Sequence, residues 1–247
     1  MTVTGQVVWW GATHPGRSRE NNEDCWRVED SLNAAILADG MGGANCGEVA
    51  SALTIDGIEE YLRQPESGLS LEELAKEAIR AANRKVIEAA HVRTACSGMG
   101  STVVLVLWRG AELIIANVGD SRAYLWRTGE LRQVSYDQNF ANEMRAGLGF
   151  SEDKVRKMPN RHVLTMAIGA FEHVLIRTWV GEFQPGDRVL LCSDGLHGPV
   201  DDATIGGIVA DGATVREKVE RLIDCANANG GPDNVTAVLL EHKEQHG

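Results

Sequence analysis

The chain has 247 residues, with 24 Lys and Arg against 35 Asp and Glu and a formal net charge of −11. That length can bury one sizeable core, and the acidic balance excludes the basic footprint of a nucleic-acid or anionic-membrane binder. The acid excess is either a soluble surface or, where acids cluster, a place for cations.

In chain order, short β-branched runs predict strands at 7–10, 25–28 and 34–38. A helix follows at 47–62, then the breakers Pro65 and Gly68. The clearest helix spans 71–92, where Leu71, Leu74, Ala75, Ala78, Ile79, Ala82, Val86 and Ala89 keep a 3.6-residue stripe. Ser70 and Glu73 form a capping box at its start. Strands at 102–108, 113–118, 121–126 and 131–134 are joined in part by turns at Arg109-Gly110 and Thr128-Gly129. The stretch 147–161 has weak periodicity and reads as a surface excursion or a short, loosely packed helix. Further strands are expected at 176–180, 188–192 and 235–240, with helices near 202–210 and at 214–227. Thr214 and Glu217 cap the last helix, and Gly230-Gly231-Pro232 ends it. Runs of strand flanked by runs of helix indicate an α+β fold.

The five cysteines, Cys25, Cys46, Cys96, Cys192 and Cys225, are odd in number and widely spaced, without a C-x-x-C pair. This is neither a disulfide framework nor a zinc-ribbon pattern, so they read as small buried hydrophobes in a reducing cytosol. The first residues show no secretory leader. No apolar run approaches the roughly 18 residues of a membrane span. The expectation is a soluble cytoplasmic protein.

Acids recur at strand boundaries beside glycine. Ala35-Ile-Leu-Ala38 leads into Asp39-Gly-Met-Gly-Gly43, Leu113-Ile-Ile-Ala-Asn-Val118 into Gly119-Asp120, and Val189-Leu-Leu-Cys192 into Ser193-Asp194-Gly195. Asp233 in Gly230-Gly-Pro-Asp233-Asn234 and the group Asn22-Glu23-Asp24 each precede a strand. A single Asp-Gly is ordinarily a turn or a cap. Several carboxylates at converging strand ends, with glycines that let a carbonyl come close, suit a hard divalent cation.

The pieces Gly16-Arg-Ser-Arg-Glu-Asn-Asn-Glu-Asp24, Leu37-Ala-Asp-Gly-Met-Gly-Gly43, Gly98-Met-Gly-Ser-Thr102, Asn117-Val-Gly-Asp-Ser-Arg122, Gly186-Asp-Arg-Val-Leu-Leu-Cys-Ser-Asp-Gly-Leu196 and Gly231-Pro-Asp-Asn-Val-Thr236 occur in one order along the chain. In this the sequence resembles the metal-dependent protein phosphatases of the 2C type, the PPM family, in their compact bacterial form. The resemblance implies a four-layer αββα sandwich of two antiparallel sheets flanked by helices, as a single catalytic domain over residues 1–247. It implies a serine/threonine phosphatase that hydrolyses phosphoserine and phosphothreonine by attack of a metal-bridging hydroxide, without a covalent phosphoenzyme.

By the same resemblance two Mn²⁺ or Mg²⁺ ions are held, with a weaker third. Asp39 bridges the pair and Gly40 lends its carbonyl. Asp194 and Asp233 bind the second ion. Glu23 acts through a metal-bound water with Asp24 beside it, and Asp120 joins Asp194 at the third ion. Arg19 clamps the substrate phosphate, which a lysine would not reproduce. The implied partners are phosphorylated proteins, including a Ser/Thr kinase and its substrates, with no nucleic acid and no membrane. A monomer is the family default.

The sequence departs from the family around these residues. Met41, Ala44 and Met158 stand where histidines occur in some members, leaving metal-bound water as the default proton donor. His162 reads as a surface or packing residue. Gln138 replaces a usual acid or histidine, and Met166 a common arginine. Gly198 removes a carboxylate near the third ion, which predicts weaker binding there. Residues 139–161, with Glu143, Arg145, Glu152, Asp153, Lys154, Arg156 and Lys157, correspond to the mobile flap of bacterial members, either a substrate-facing lid or a solvated charged surface. An aspartyl-phosphate enzyme would want a second acid two residues after the first, where Met41 and Leu196 stand. A pseudophosphatase that only binds phosphoprotein is the other alternative, and the retained Asp39, Asp194 and Asp233 argue against it.

Overall fold

The computed structural model describes residues 6–42, 46–151, 154–155 and 158–243. Two antiparallel sheets stack face to face. One has the strand order β1 (Gln6–His14), β11 (Val235–Lys243), β10 (Arg188–Cys192), β7 (Arg122–Arg127), β8 (Glu130–Gln133). The other runs β2 (Asp24–Glu29), β3 (Ala34–Met41), β5 (Val103–Arg109), β6 (Glu112–Val118), β9 (Arg177–Glu182), with the short β4 (Gly100–Ser101) pairing the end of β3.

Alternate side chains of a strand point to opposite faces. The inward set, including Leu37, Val104, Val106 and Ile115 from one sheet and Leu125, Leu191, Val238 and Leu240 from the other, fills the space between the sheets. The outward set is buried too. Ile36, Leu105 and Ile114 pack under α1 (Cys46–Arg63) and α2 (Leu71–Val92). On the other sheet Leu190, Cys192 and Leu239 pack under α4 (Asp194–His197), α5 (Asp202–Ala210) and α6 (Val215–Ala228). Strands covered on both faces read as continuous apolar runs, which is why the central ones stand out in the sequence.

The helices keep their expected bounds within a residue or two, and both capping boxes, Ser70 with Glu73 and Thr214 with Glu217, are formed. The turn at Thr128-Gly129 places both residues at positive φ, 49° and 90°, as a tight two-residue hairpin requires.

Four expectations need correction. β1 continues to His14, because its whole length pairs with β11 from Gln6 opposite Lys243 to His14 opposite Val235. β3 does not stop at Ala38. Asp39 lies opposite Asp24 on β2, and Gly40 and Met41 lie opposite Ser101 and Gly100, so backbone pairing carries the strand through the acid. A helix not foreseen, α3 (Phe140–Leu148), starts at an Asn139 cap and ends where Gly149 takes the left-handed conformation, φ 65°. Of the charged flap residues named above, Glu152, Asp153, Arg156 and Lys157 lie outside the described residues, as does Ala44.

The fourth correction concerns the cysteines. Cys46, the first residue of α1, and Cys96, in the turn after α2, form a disulfide across 50 residues. Wide spacing does not exclude a pair when two long helices pack side by side and bring the end of one to the start of the other. Cysteine usage therefore no longer supports a reducing compartment. Cys25, Cys192 and Cys225 are unpaired, and Cys192 is a buried hydrophobe whose thiol is pushed up by burial. Closing a loop of this length stabilises a fold by about 4 kcal/mol on chain entropy, and typical measured values are about 2–4 kcal/mol. Reduction by a dithiol is expected to lower the Tm by about 5–10 °C, with no further drop in Cys96→Ser. A melt unchanged by reduction, with both thiols shown free, would mean that the pairing contributes nothing.

Candidate active site

At one end of the sandwich, residues from both sheets converge on a cavity of 510 Å³. Arg19, Glu23, Asp39, Gly40, Asp120, Asp194 and Asp233 all line it. Of the predicted set, Asp24 alone does not. It is buried on β2, and its Oδ2 accepts hydrogen bonds from Ser193 (2.8 Å), just after β10, and from Thr236 (2.6 Å) of β11, both reached from the opposite sheet. Asp24 thus ties the two sheets together at the site, while its other oxygen, Oδ1, is buried without a hydrogen-bond partner.

Asp39 is held from its backbone. Its N–H donates to Thr102 Oγ1 at 3.0 Å, and its carbonyl accepts from Thr102 N–H (2.8 Å) and Ser101 Oγ (3.0 Å). Thr102 and Ser121 hydroxyls are hydrogen-bonded at 2.7 Å. These hydroxyls are site residues that sequence reasoning missed; the Ser-Thr pair ending Gly98-Met-Gly-Ser-Thr102 was their signal.

Gly40 is required by close approach. A Cβ there would lie 2.0 Å from the Gly47 carbonyl oxygen. Gly195, beside Asp194, is packed in the same way, with a would-be Cβ 1.9 Å from the Asn234 carbonyl oxygen. Asn234 joins the remaining loops. Its Oδ1 accepts from Glu23 N–H at 2.8 Å, and its Nδ2 donates to the carbonyls of Pro15 (3.0 Å) and Asn21 (2.7 Å). Arg19 reaches Asp233 at 2.8 Å, with the guanidinium about half exposed.

Burial is the first cause of the electrostatics. It pushes Asp39 well above the usual carboxylate range, reinforced by Asp24, Asp194, Asp120 and Asp233. Burial likewise raises Asp24 to about 7, against the hydroxyls of Thr236 and Ser193. Asp120 rises to about 7 through burial and then Asp194, and Asp194 to about 6 through burial and then Asp233. Glu23 is raised by burial, partly offset by Arg19. Arg19 is raised by Asp233.

Asp194 adds to the burial that raises Asp39, so the two carboxylates lie near one another and repel when both are charged. Such a crowd of carboxylates, with one orphaned buried oxygen and a glycine carbonyl beside it, fits hard divalent cations. Among the described residues no three His, Cys, Asp or Glu side chains stand close enough together to hold an ion by themselves. Waters and the Gly40 carbonyl would have to complete the shells of the ions, as Mg²⁺ ordinarily requires.

The departures from the family pattern also find places. Gln138 is structural: its Oε1 accepts from Gly119 N–H at 2.8 Å and its Nε2 donates to the Leu175 carbonyl at 2.7 Å, fixing the turn that carries Asp120. Gly198 borders a smaller cavity of 240 Å³ that shares Asp120 and Asp194 with the main one. His197 sits under it, its Nε2 3.0 Å from the Asp120 carbonyl, kept neutral by burial with its pKa lowered to about 3. His162 is exposed, as expected, yet it lies at the rim of the main cavity. Met41 and Met166 line that cavity too, and Met158 lines neither.

The family model of protein phosphatase 2C matches residues 11–240. The serine/threonine phosphatase stp of Listeria monocytogenes serovar 1/2a is 34% identical over 235 residues, covering 93% of each chain. The serine/threonine protein phosphatase PstP of Mycobacterium tuberculosis is 37% identical over 226 residues, covering 92% of this chain and 43% of that one. The crystal structure of the M. tuberculosis phosphatase PstP/Ppp superposes with a TM-score of 0.88 at 34% identity, covering 96% of this chain and 99% of that one. A PstP catalytic domain in complex with two manganese ions gives a TM-score of 0.85 at 34% identity, covering 95% and 97%. The sandwich, the converging acids and these likenesses agree: the chain belongs to the protein phosphatase 2C family.

Proposed function

We propose that this chain is a metal-dependent protein serine/threonine phosphatase, working as one catalytic domain, and that the acids of the cavity hold a pair of Mn²⁺ or Mg²⁺ ions. The observation that carries the reading is the meeting of Glu23, Asp39, Asp120, Asp194 and Asp233 around one cavity with Arg19 at its mouth. The manganese complex of the PstP catalytic domain supports the choice of metal.

Asp39 would help to hold both ions, the Gly40 carbonyl would help to hold one, and Asp194 and Asp233 would hold the other. Glu23 would act through water, and Asp120 with Asp194 would hold a weaker third. Asp24, behind them, braces the sheets and adds negative charge. When bound, a divalent pair lowers the pKa of water and neutralises charge on phosphoryl oxygens.

Arg19 supplies what the carboxylates cannot, a planar fork for a phosphate dianion. In the structure one nitrogen of that fork donates to Asp233. Engagement of Asp233 elsewhere frees the guanidinium for substrate, so the arginine is held ready at the entrance. No group of the chain has to form a bond to phosphorus. The substrates would be the products of Ser/Thr kinases, met in the cytoplasm by a monomer. Among the described residues no helix is long and apolar enough to cross a membrane.

The test is phosphate release from matched phosphoserine, phosphothreonine and phosphotyrosine peptides with Mn²⁺, with Mg²⁺ and with chelator. Turnover of the first two only with a divalent ion is expected. Turnover that survives the chelator overturns the metal reading, and binding without turnover in any metal would make the chain a phosphoprotein-binding module. Arg19→Lys is expected to lower kcat/KM by about 10- to 100-fold, mostly through KM, since a point charge cannot grip two oxygens. Stabilisation by Mn²⁺ should be unaffected. An Arg19→Lys enzyme with unchanged KM would take the arginine out of phosphate binding.

A further inference from the structure

The main cavity has two unlike sides. One carries the acids and Arg19. The other is built by residues 163–171, of which Val163, Leu164, Met166, Ala170 and Phe171 line it. This stretch, Val-Leu-Thr-Met-Ala-Ile-Gly-Ala-Phe, contains no charged residue. Val163 is 57% and Phe171 44% exposed, so apolar side chains face solvent beside a cluster of acids.

The wall is no slack loop. Ile168 exchanges backbone hydrogen bonds with Ser101 at 2.8 and 3.0 Å, on the segment that leads to Thr102 and so to Asp39. Thr165 N–H donates to the Gln138 carbonyl at 2.9 Å. The buried Asn83 of α2 clamps the far end, accepting from Gly169 N–H (2.8 Å) and donating to the carbonyls of Phe171 (2.9 Å) and Glu172 (3.2 Å). An apolar surface on a backbone pinned at three places is pre-organised for contact.

Resting on the phosphatase reading, we propose that this wall is a specificity subsite that takes an apolar side chain next to the phosphorylated residue of a substrate protein. A phosphate held by Arg19 and the cavity floor leaves its neighbours in the chain against the wall. An aliphatic or aromatic neighbour covers Val163 and Phe171. An acidic neighbour gains nothing from an uncharged wall and must give up water to lie against it. A cavity of 510 Å³ has room for the phosphoryl group together with such a side chain.

The experiment compares phosphothreonine peptides that differ in one residue, Leu, Ser or Glu, placed immediately before or immediately after the phosphothreonine. In Mn²⁺, one of the two Leu positions is expected to give a kcat/KM about tenfold above its Ser counterpart, carried by KM, with Glu lowest. In Phe171→Ala combined with Val163→Ser, the Leu-to-Ser ratio should fall to near one, and Phe171→Leu should keep it. The ratio does not depend on the fraction of folded enzyme, so loss of stability in a variant cannot mimic the result. A wild-type ratio near one at both positions overturns the proposal, as does a ratio that persists in the double variant. Absence of turnover of every peptide overturns the phosphatase reading itself, and this inference with it.

Discussion

Asp39→Asn is expected to lower phosphate release from a phosphothreonine peptide by on the order of a thousandfold at saturating Mn²⁺. The substitution keeps shape and burial, and the backbone bonds from Ser101 and Thr102 that set the position are untouched. What it removes is a charge. The charge of Asp39 is opposed by its surroundings, through burial and then four other acids. In the absence of metal the variant should therefore be more stable than the parent, because one member of a repelling group is gone. In saturating Mn²⁺ the order should reverse, since stabilisation by a bound ion requires the ligands. An inactive variant that still gains the parent's full Mn²⁺ stabilisation would remove Asp39 from the metal site. An active one would remove it from the chemistry.

The second large effect is the pH dependence of the metal-free protein. Asp24 and Asp120 are raised to about 7, Asp194 to about 6, and Asp39 well above the ordinary carboxylate range, against roughly 3.9 for an unfolded aspartate. Between these limits the folded chain binds more protons than the unfolded one, so stability falls as pH rises through the window. His197 works in the opposite direction. Its pKa is depressed to about 3 by burial, so its neutral form favours folding progressively up to the ordinary histidine range. His162, lowered by burial and then by Arg161, acts with it, and Glu23 is a fifth raised acid, so two histidines are outweighed by five carboxylates.

From pH 5 to pH 7.5 in chelator the net loss should be on the order of 5 kcal/mol or more, a fall in Tm of at least about 10 °C. Above pH 5 the acids with lowered values, such as Glu59 and Glu217, are already ionised and add nothing to the change. In saturating Mn²⁺ the cations take the place of the protons, and the fall should be abolished. Denaturant melts at the two pH values, with and without the ion, measure both. Metal-free protein that is more stable at pH 7.5 than at pH 5 would contradict the electrostatic picture of the cavity.

Much of this site was legible in the chain because its acids are marked locally. Each of Asp39, Asp120 and Asp194 follows an apolar run closely and sits beside glycine, and a sheet end is where such residues must meet. The helices were legible for a similar reason: their apolar stripes and the Ser70 and Thr214 caps are encoded within a few residues. What escaped the reading depends on distant partners. Asp39 lies inside a strand because Asp24, Gly100 and Ser101 pair with its neighbourhood from other segments. Asp24 became a brace between the sheets through hydroxyls 169 and 212 residues away. The Cys46–Cys96 bond follows from how α1 and α2 pack, which spacing alone cannot report. The apolar wall passed unnoticed because Val163 and Phe171 look like ordinary hydrophobic residues until the fold leaves them exposed at the cavity.

The central claim is that these carboxylates are a metal site and that hydrolysis depends on its being filled. Its most direct measurement is a Mn²⁺ titration of chelator-treated protein in which bound ions and phosphate release from a phosphothreonine peptide are counted in the same samples. The account predicts no release from the stripped protein, activity rising with occupancy of two tight ions per chain, and loss of both tight binding and release in Asp39→Asn. Full release from protein shown to hold no divalent ion would contradict it.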